Sequence, residues 1–488
     1  MKKLNIPVIF LLFIATVLLV ISCAVNPVTG KKQIMLMSES QEIALGLSYD
    51  PQVMATFGEY PDNNIQNFVQ TKGTEMGKIS HRPTLVYHVK VVDSPVVNAF
   101  AVPGGYIYLT RGILAQLTNE AELMGVMGHE MGHIAARHSV SQQSKQQLAQ
   151  LLLIGGMIAS EKFASYAQYA LQGMQLLFLK FSRDDERQAD ALGVEYSTKE
   201  GYDAHKMADF FNVLKKMNMA ESEGGVPTFL STHPDPGDRY NDVNTEATEW
   251  QTKLALADYK VNQDSYLQWI NGIIYGEDPR QGYVEGNTFY HPELKFKFSF
   301  PTGWTLTNSP LQVTVVPSDQ KALILFTMSP QKTLESAVDT TMIQYQLTLQ
   351  GSKKITVNGL SAIMTQAKQS VKEQSTGATS TNMVLSYFIS YNNIIYVMHG
   401  VTTEADFNSY ANTFNSSMST FARLTDASKL NVKPRKVNVV KVQRTGTFSD
   451  ALSYYRVSQD KQAELALLND LELTDQVPVG KLIKIIGE

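Results

Sequence analysis

His129-Glu130-Met131-Gly132-His133 is the stretch on which the reading of this chain turns. Each residue of an α-helix advances about 100°, so side chains four apart lie one above the other. His129 and His133 can therefore offer two imidazoles to one Zn2+. Glu130 stands beside them, where a carboxylate can take a proton from a metal-bound water. Three residues fix the pattern, so spacing alone also fits an amphipathic helix with two incidental histidines.

The flanking sequence argues for the metal. Asn119 suits a helix N-cap, and Glu122 three residues on completes a capping-box-like pair. Leu123, Val126, Met127, Met131 and Ile134 recur at helical spacing, which predicts a helix from about 120 to 138. It is apolar around most of its circumference apart from the motif, so it should be buried. A catalytic zinc needs a third protein ligand. His138 is nine residues past His129, about 900° of helix, which puts it half a turn away on the other face. The long metzincin motif is also absent, since Ser139 and Ala136 stand at its third-histidine and glycine positions. Glu186 is the better candidate. In the run Phe181 to Asp190, Glu186 and Asp190 are four apart and share a helix face. The first carboxylate can bind metal and the second can hold a ligating imidazole through its other ring nitrogen. On these residues alone, an R-D-D-E-R run reads more readily as a solvated charged face.

These stretches together resemble the HtpX/BepA-type zinc metallopeptidases, gluzincins related to the CAAX prenyl proteases. The resemblance rests on four ordered segments. They are His129 to His138, Phe181-Ser182-Arg183 with Glu186 and Ala189-Asp190, Asn98 to Ile107, and Ser231-Thr232-His233-Pro234 with Arg239. It covers roughly residues 40 to 245. It implies a zinc held by His129, His133 and Glu186, with Glu130 as general base; Asp190 is the expected support for a ligating imidazole.

The residues between Asn98 and Leu109 read independently as a strand pair. Pro103-Gly104-Gly105 is turn chemistry, and Tyr106 to Leu109 are strand formers. A strand of Asn98, Ala99, Phe100 and Ala101 beside a zinc can bind an extended peptide through main-chain hydrogen bonds. It also fits an ordinary core hairpin. His233 leaves three roles open. It can donate to the oxyanion of the tetrahedral intermediate, fill the open zinc position, or serve structure alone, with the catalytic role preferred. Arg239 is expected to pair with a carboxylate and order this loop.

The N-terminus sets the compartment. Lys2 and Lys3 precede an apolar run from Ile6 to Ile21, which reads as a signal peptide over residues 1–22. Val20-Ile21-Ser22-Cys23 resembles a bacterial lipobox, with lipid on Cys23, the one cysteine in 488 residues. Ala24 after it resembles sorting to the outer membrane, facing the periplasm. Leu151 to Ala159 is too short to span a bilayer and reads as a core or lid helix. A net charge of −4 leaves no nucleic-acid footprint.

The fold class expected is α+β. A tether over 23–40 leads to a mostly helical gluzincin domain over 41–270. An α+β sandwich-like domain follows over 288–425, beyond a glycine cluster from Gly272 to Gly286. In it, Phe296, Phe298 and Phe300 alternate as a half-buried strand, and Tyr387 to Val401 reads as a hairpin turning at Asn392-Asn393. Residues 432–488 resemble a small βααβ LysM module. Peptidoglycan binding by 437–488 and a purely structural role both stand open. The reading as a whole is a lipid-anchored zinc endopeptidase. It would hydrolyse unfolded or extended polypeptides of misfolded or misassembled envelope proteins. The alternative is a chaperone-like or peptidoglycan-tethered outer-membrane assembly factor with a dormant zinc site.

Overall fold

The computed structural model describes residues 23–144, 181–220, 228–234, 237–372 and 379–488. The expected signal peptide at 1–22 and the Leu151 to Ala159 segment lie outside the described residues. Two compact units form. One runs up to Gly276 and includes Arg435–Glu488; the other is Glu277–Pro434. Among the described residues, no helix is long and apolar enough to cross a membrane.

The first unit begins with a hairpin of β1 (Cys23–Val25) and β2 (Lys32–Ile34), then α1 (Glu39–Phe57) and α2 (Asn63–Ile79). A sheet follows from β3 (His88–Val92), β4 (Ala99–Val102) and β5 (Tyr106–Thr110), in the order β3-β5-β4. β3 runs parallel to β5 and β4 antiparallel to it, which leaves β4 at an edge. The β4–β5 turn needs its glycines, because Gly104 and Gly105 take φ of 84° and 99°. The helices are α3 (Arg111–Gln116), α4 (Glu120–Ala135), α5 (Arg183–Lys199), α6 (His205–Ala220), α7 (Thr228–Thr232), α8 (Arg239–Leu254) and α9 (Gln263–Ile270).

α4 is the motif helix, and all of its residues are buried. Asn119 caps it by accepting from the Glu122 N–H, while the Glu122 carboxylate accepts from the Thr118 N–H at 2.6 Å. The helix stops at Ala135, short of the expected end at 138, because Arg137 adopts a left-handed φ of 58°. That conformation costs an L-residue about 1–2 kcal/mol. Its side chain supplies compensation. Arg137 Nε donates to the buried Glu42 carboxylate at 2.8 Å, and Nη2 to the Met37 carbonyl at 2.9 Å. Arg82 meets the same carboxylate at 2.8 Å and donates to the Ile134 carbonyl at the helix end.

α4 and α5 pack closely because glycines line their contact. A Cβ on Gly128 would lie 3.0 Å from Gly193 Cα, and one on Gly132 would lie 3.0 Å from Leu192 Cβ. Each helical glycine costs about 1 kcal/mol relative to alanine. The close approach they allow lets a carboxylate on α5 reach the imidazoles on α4.

The second unit contains β6 (Tyr283–Glu285), β7 (Thr288–His291), β8 (Phe296–Ser299), β9 (Trp304–Asn308), β10 (Gln312–Pro317), β11 (Ala322–Ser329), α10 (Leu334–Gln344), β12 (Thr348–Val357), β13 (Leu360–Lys372), β14 (Thr379–Tyr391), β15 (Ile394–Thr403), α11 (Phe407–Met418), β16 (Ala422–Arg423) and α12 (Ala427–Leu430). A seven-stranded antiparallel sheet has the order β12-β13-β14-β15-β11-β10-β9, and a smaller one β16-β8-β7-β6. Asn392 and Asn393 turn the β14–β15 hairpin with φ of 50° and 61°, as the sequence predicts. Phe296, Phe298, Phe414, Met418 and Phe421 share one core.

Arg435–Glu488 belongs to the first unit. β17 (Lys436–Lys441) pairs with the later β20 (Leu482–Gly487). Between them lie β18 (Gly446–Thr447), α13 (Phe448–Tyr454), α14 (Gln459–Asn469) and β19 (Gln476–Val477). Thr447 caps α13 in a capping box with Asp450. Lys484 is fully buried, and its ammonium donates to the carbonyls of Ala115, Gln116 and Leu117 at 2.9 Å each. These are orphan carbonyls at and just past the end of α3, where a cation is favoured. Burial pushes the Lys484 amine down to about 7, against the pull of Glu122 and Asp470. Gln116 adds a hydrogen bond to the Leu467 carbonyl at 2.9 Å. The C-terminal residues are thus seated on the turn that leads into the motif helix.

Candidate metal centre and active site

Four buried side chains from three segments meet at one point. His129 and His133, on successive turns of α4, bring their Nε2 atoms to 3.1 Å. Glu186, on α5, places Oε1 3.5 Å from His133 Nε2 and Oε2 3.6 Å from His129 Nε2. His233, just after α7, places Nδ1 3.2 Å from His129 Nε2 and 3.1 Å from Glu186 Oε1. One donor atom from each lies within 4.8 Å of all the others.

The protonation pattern fits a cation. His129 Nδ1 is 2.8 Å from Asp190 Oδ1, so it carries the ring proton and leaves a lone pair on Nε2. Burial holds His129 and His133 well below the usual histidine range, so neither bears the extra proton that would bridge them. Burial pushes Glu186 up, but His233, 3.1 Å from its Oε1, holds it well below the usual carboxylate range. Its Oε2 is buried without a hydrogen-bond partner. Two nitrogen lone pairs and a carboxylate converging on one point make a donor set that suits zinc. Tetrahedral zinc with Zn–N of about 2.0–2.1 Å needs nitrogens about 3.3 Å apart, close to the spacing here.

Glu130 is fully buried beside this point, with Oε1 3.5 Å from His233 Nε2. Burial pushes it up to about 7, helped by Glu186 and opposed by His233, Arg239 and the Ala101 N–H. A cation at the centre would draw it back down. Asp190 is pushed up to about 6 by burial against the pull of Arg239, whose Nη2 lies 2.6 Å away. The Arg239 guanidinium stacks 3.7 Å over the Phe211 ring, which fixes the clamp from behind. Arg239 therefore pairs with a carboxylate, as its position after His233 suggests.

Ala99–Val102 lies at the sheet edge beside α4, and every residue in it is buried. Asn98 is fully buried, and neither end of its side-chain amide has a hydrogen-bond partner. The peptide slot expected along this strand is closed in this conformation.

One expectation is corrected. His138 does not project from the opposite helix face. The left-handed turn at Arg137 carries it back, so that its Nδ1 lies 2.9 Å from His133 Nδ1 and its Nε2 2.9 Å from Gln188 Oε1. A helix continued through 138 could not make that contact. Phe181, which stacks on His133 at 3.9 Å, and Phe229, which stacks on His233 at 4.6 Å, are further contacts that spacing gave no signal for.

Residues 63–247 match the sequence profile of Peptidase family M48. The chain carries an M48 zinc metallopeptidase domain. It is 28% identical over 221 residues to the beta-barrel assembly-enhancing protease of Yersinia pestis, covering 44% of this chain and 45% of that protein. It is 26% identical over 233 residues to the mitochondrial metalloendopeptidase OMA1 of Bos taurus, 44% of each. The chain thus spans less than half the length of these curated relatives. A PsbP structure from Synechocystis aligns with a TM-score of 0.23 and 12% identity over 29% of this chain and 94% of its own. M48 peptidases use zinc, and the buried donors of this domain suit it.

Proposed function

We propose that this protein is a lipid-anchored zinc endopeptidase of the bacterial envelope that cleaves unfolded or misassembled polypeptides, and that the conformation described is its closed form. The observation that carries this reading is the convergence of His129, His133 and Glu186 beside the buried Glu130. Zinc, when bound, polarises the scissile carbonyl and acidifies water. Glu130 accepts a proton on its carboxylate and returns it to the leaving amine. Asp190, held by Arg239, keeps the His129 proton on Nδ1 and the ring in place. The Ala99–Val102 edge aligns an extended substrate once it is uncovered. The name of the Yersinia pestis relative joins proteolysis to β-barrel assembly, which favours misassembled outer-membrane proteins as the substrate class.

Purified protein should carry about one zinc per chain, and Glu186→Ala should lose it. Full zinc content in Glu186→Ala would remove Glu186 from the donor set. Casein hydrolysis that survives a strong chelator would remove the metallopeptidase reading itself.

Anchoring rests on Cys23 behind the apolar run Ile6 to Ile21, and Ala24 after it favours the outer membrane, facing the periplasm. Cys23→Ser should abolish incorporation of a radioactive fatty acid; label that persists in the variant contradicts a lipid on this sulfur. The order β17-β18-α13-α14-β19-β20 keeps two helices between outer strands, as the LysM-like reading behind a peptidoglycan contact requires. The seating of Lys484 supports a structural role equally. The second reading, an assembly factor with a dormant site, draws its support from His233 lying among the donors.

A further inference from the structure

The two motif histidines have unlike partners behind them. His129 Nδ1 faces a carboxylate, Asp190, whereas His133 Nδ1 faces another imidazole, His138, at 2.9 Å. The His138 ring is buried and crosses that of His133 at 73°, with centroids 5.0 Å apart. Its other nitrogen, Nε2, lies 2.9 Å from Gln188 Oε1 and 3.5 Å from Asp185 Oδ1.

We propose that His138, backed by Gln188, is a positioning residue that sets the tautomer of His133 and so frees His133 Nε2 to bind zinc. An amide oxygen only accepts, so His138 Nε2 donates to Gln188, and in the singly protonated ring that is the one proton. Its Nδ1 then bears a lone pair and accepts from His133 Nδ1–H. A neutral His133 has one ring proton, so its Nε2 faces the centre as a lone pair. Three links fix one protonation state: Gln188 oxygen, His138 ring, His133 ring. Reversing the first link reverses the last and places an N–H where zinc must bind. Gln188 is two residues from Glu186 on α5, so one helix supplies both a zinc donor and the far end of this relay. The left-handed φ of Arg137 is what folds His138 back into reach. Partners behind metal-bound histidines are worth about 10–100-fold in metal affinity.

This inference rests on the zinc site proposed above, and full-length, zinc-free protein tests the two separately by competition with a chromophoric zinc chelator. His138→Leu removes the acceptor and should weaken zinc binding by about 10–100-fold. His138→Gln offers His133 an amide oxygen and should recover most of that loss, which repacking alone would not do. Gln188→Leu releases the His138 tautomer and should weaken binding in the same direction. Wild-type affinity in His138→Leu overturns the relay, and so does a His138→Gln protein as weak as the leucine variant. If circular dichroism shows the leucine variant unfolded, Gln188→Leu decides, and unchanged affinity there overturns the relay. Wild-type protein that binds no zinc would sink the metal site, a result distinct from equal binding by wild type and variants.

Discussion

Glu130→Gln should lower casein hydrolysis by about 10²–10⁴-fold, the range for loss of a positioned general base, while zinc stays at about one per chain. Gln has nearly the shape of Glu and cannot accept the proton. Glu130 is not among the four clustered donors, so metal binding should persist. The same exchange separates catalysis from folding. The Glu130 carboxylate is fully buried, and burial pushes it up to about 7, so its ionised form is costly to keep there. In zinc-free protein a neutral amide removes that cost, so the melting temperature of the zinc-free variant should hold or rise relative to zinc-free wild type. Kinetics, metal analysis and a melting curve on one variant check all three statements. Hydrolysis that stays near wild type would remove Glu130 from the mechanism. Activity lost together with zinc would make it a ligand instead.

The centre is legible in the sequence where local rules govern. The Glu186/Asp190 pair, which alone reads as a solvated face, is legible only through the family resemblance, whereas the motif helix, its Asn119 cap and the Pro103-Gly104-Gly105 turn depend on residues a few positions apart. The hairpin at Asn392-Asn393 is legible for the same reason. What was missed depends on distant partners. The helix ends early because Arg137 is held left-handed by Glu42, 95 positions away, and His138 changes its role as a result. Lys484 sits in a strand and carries a charge, which reads as an exposed residue. Its acceptors are more than 365 positions away, at the end of α3. No helical or strand periodicity reports such contacts, and tertiary packing overrides the local signal.

His233→Ala should raise basal proteolysis. His233 Nδ1 points into the donor cluster, 3.2 Å from His129 Nε2 and 3.1 Å from Glu186 Oε1, and the Phe229 ring stacks on it at 4.6 Å. Burial lowers its basicity, but Glu186 and Glu130 outweigh this and hold it above the usual histidine range. A side chain so placed takes the corner that water or a carbonyl oxygen needs. If the unblocked form is a minor state of about 0.1–10%, its release should raise turnover by roughly 10–10³-fold. The oxyanion role, which sequence reasoning preferred, predicts the opposite sign, a fall in kcat of about 10²–10³-fold with KM little changed. We favour the closing role, because the ring is packed among the donors. Peptidase kinetics scaled to the folded fraction from a melting curve separate the roles. A fall in kcat would restore the oxyanion role, and unchanged turnover per folded molecule would make His233 structural.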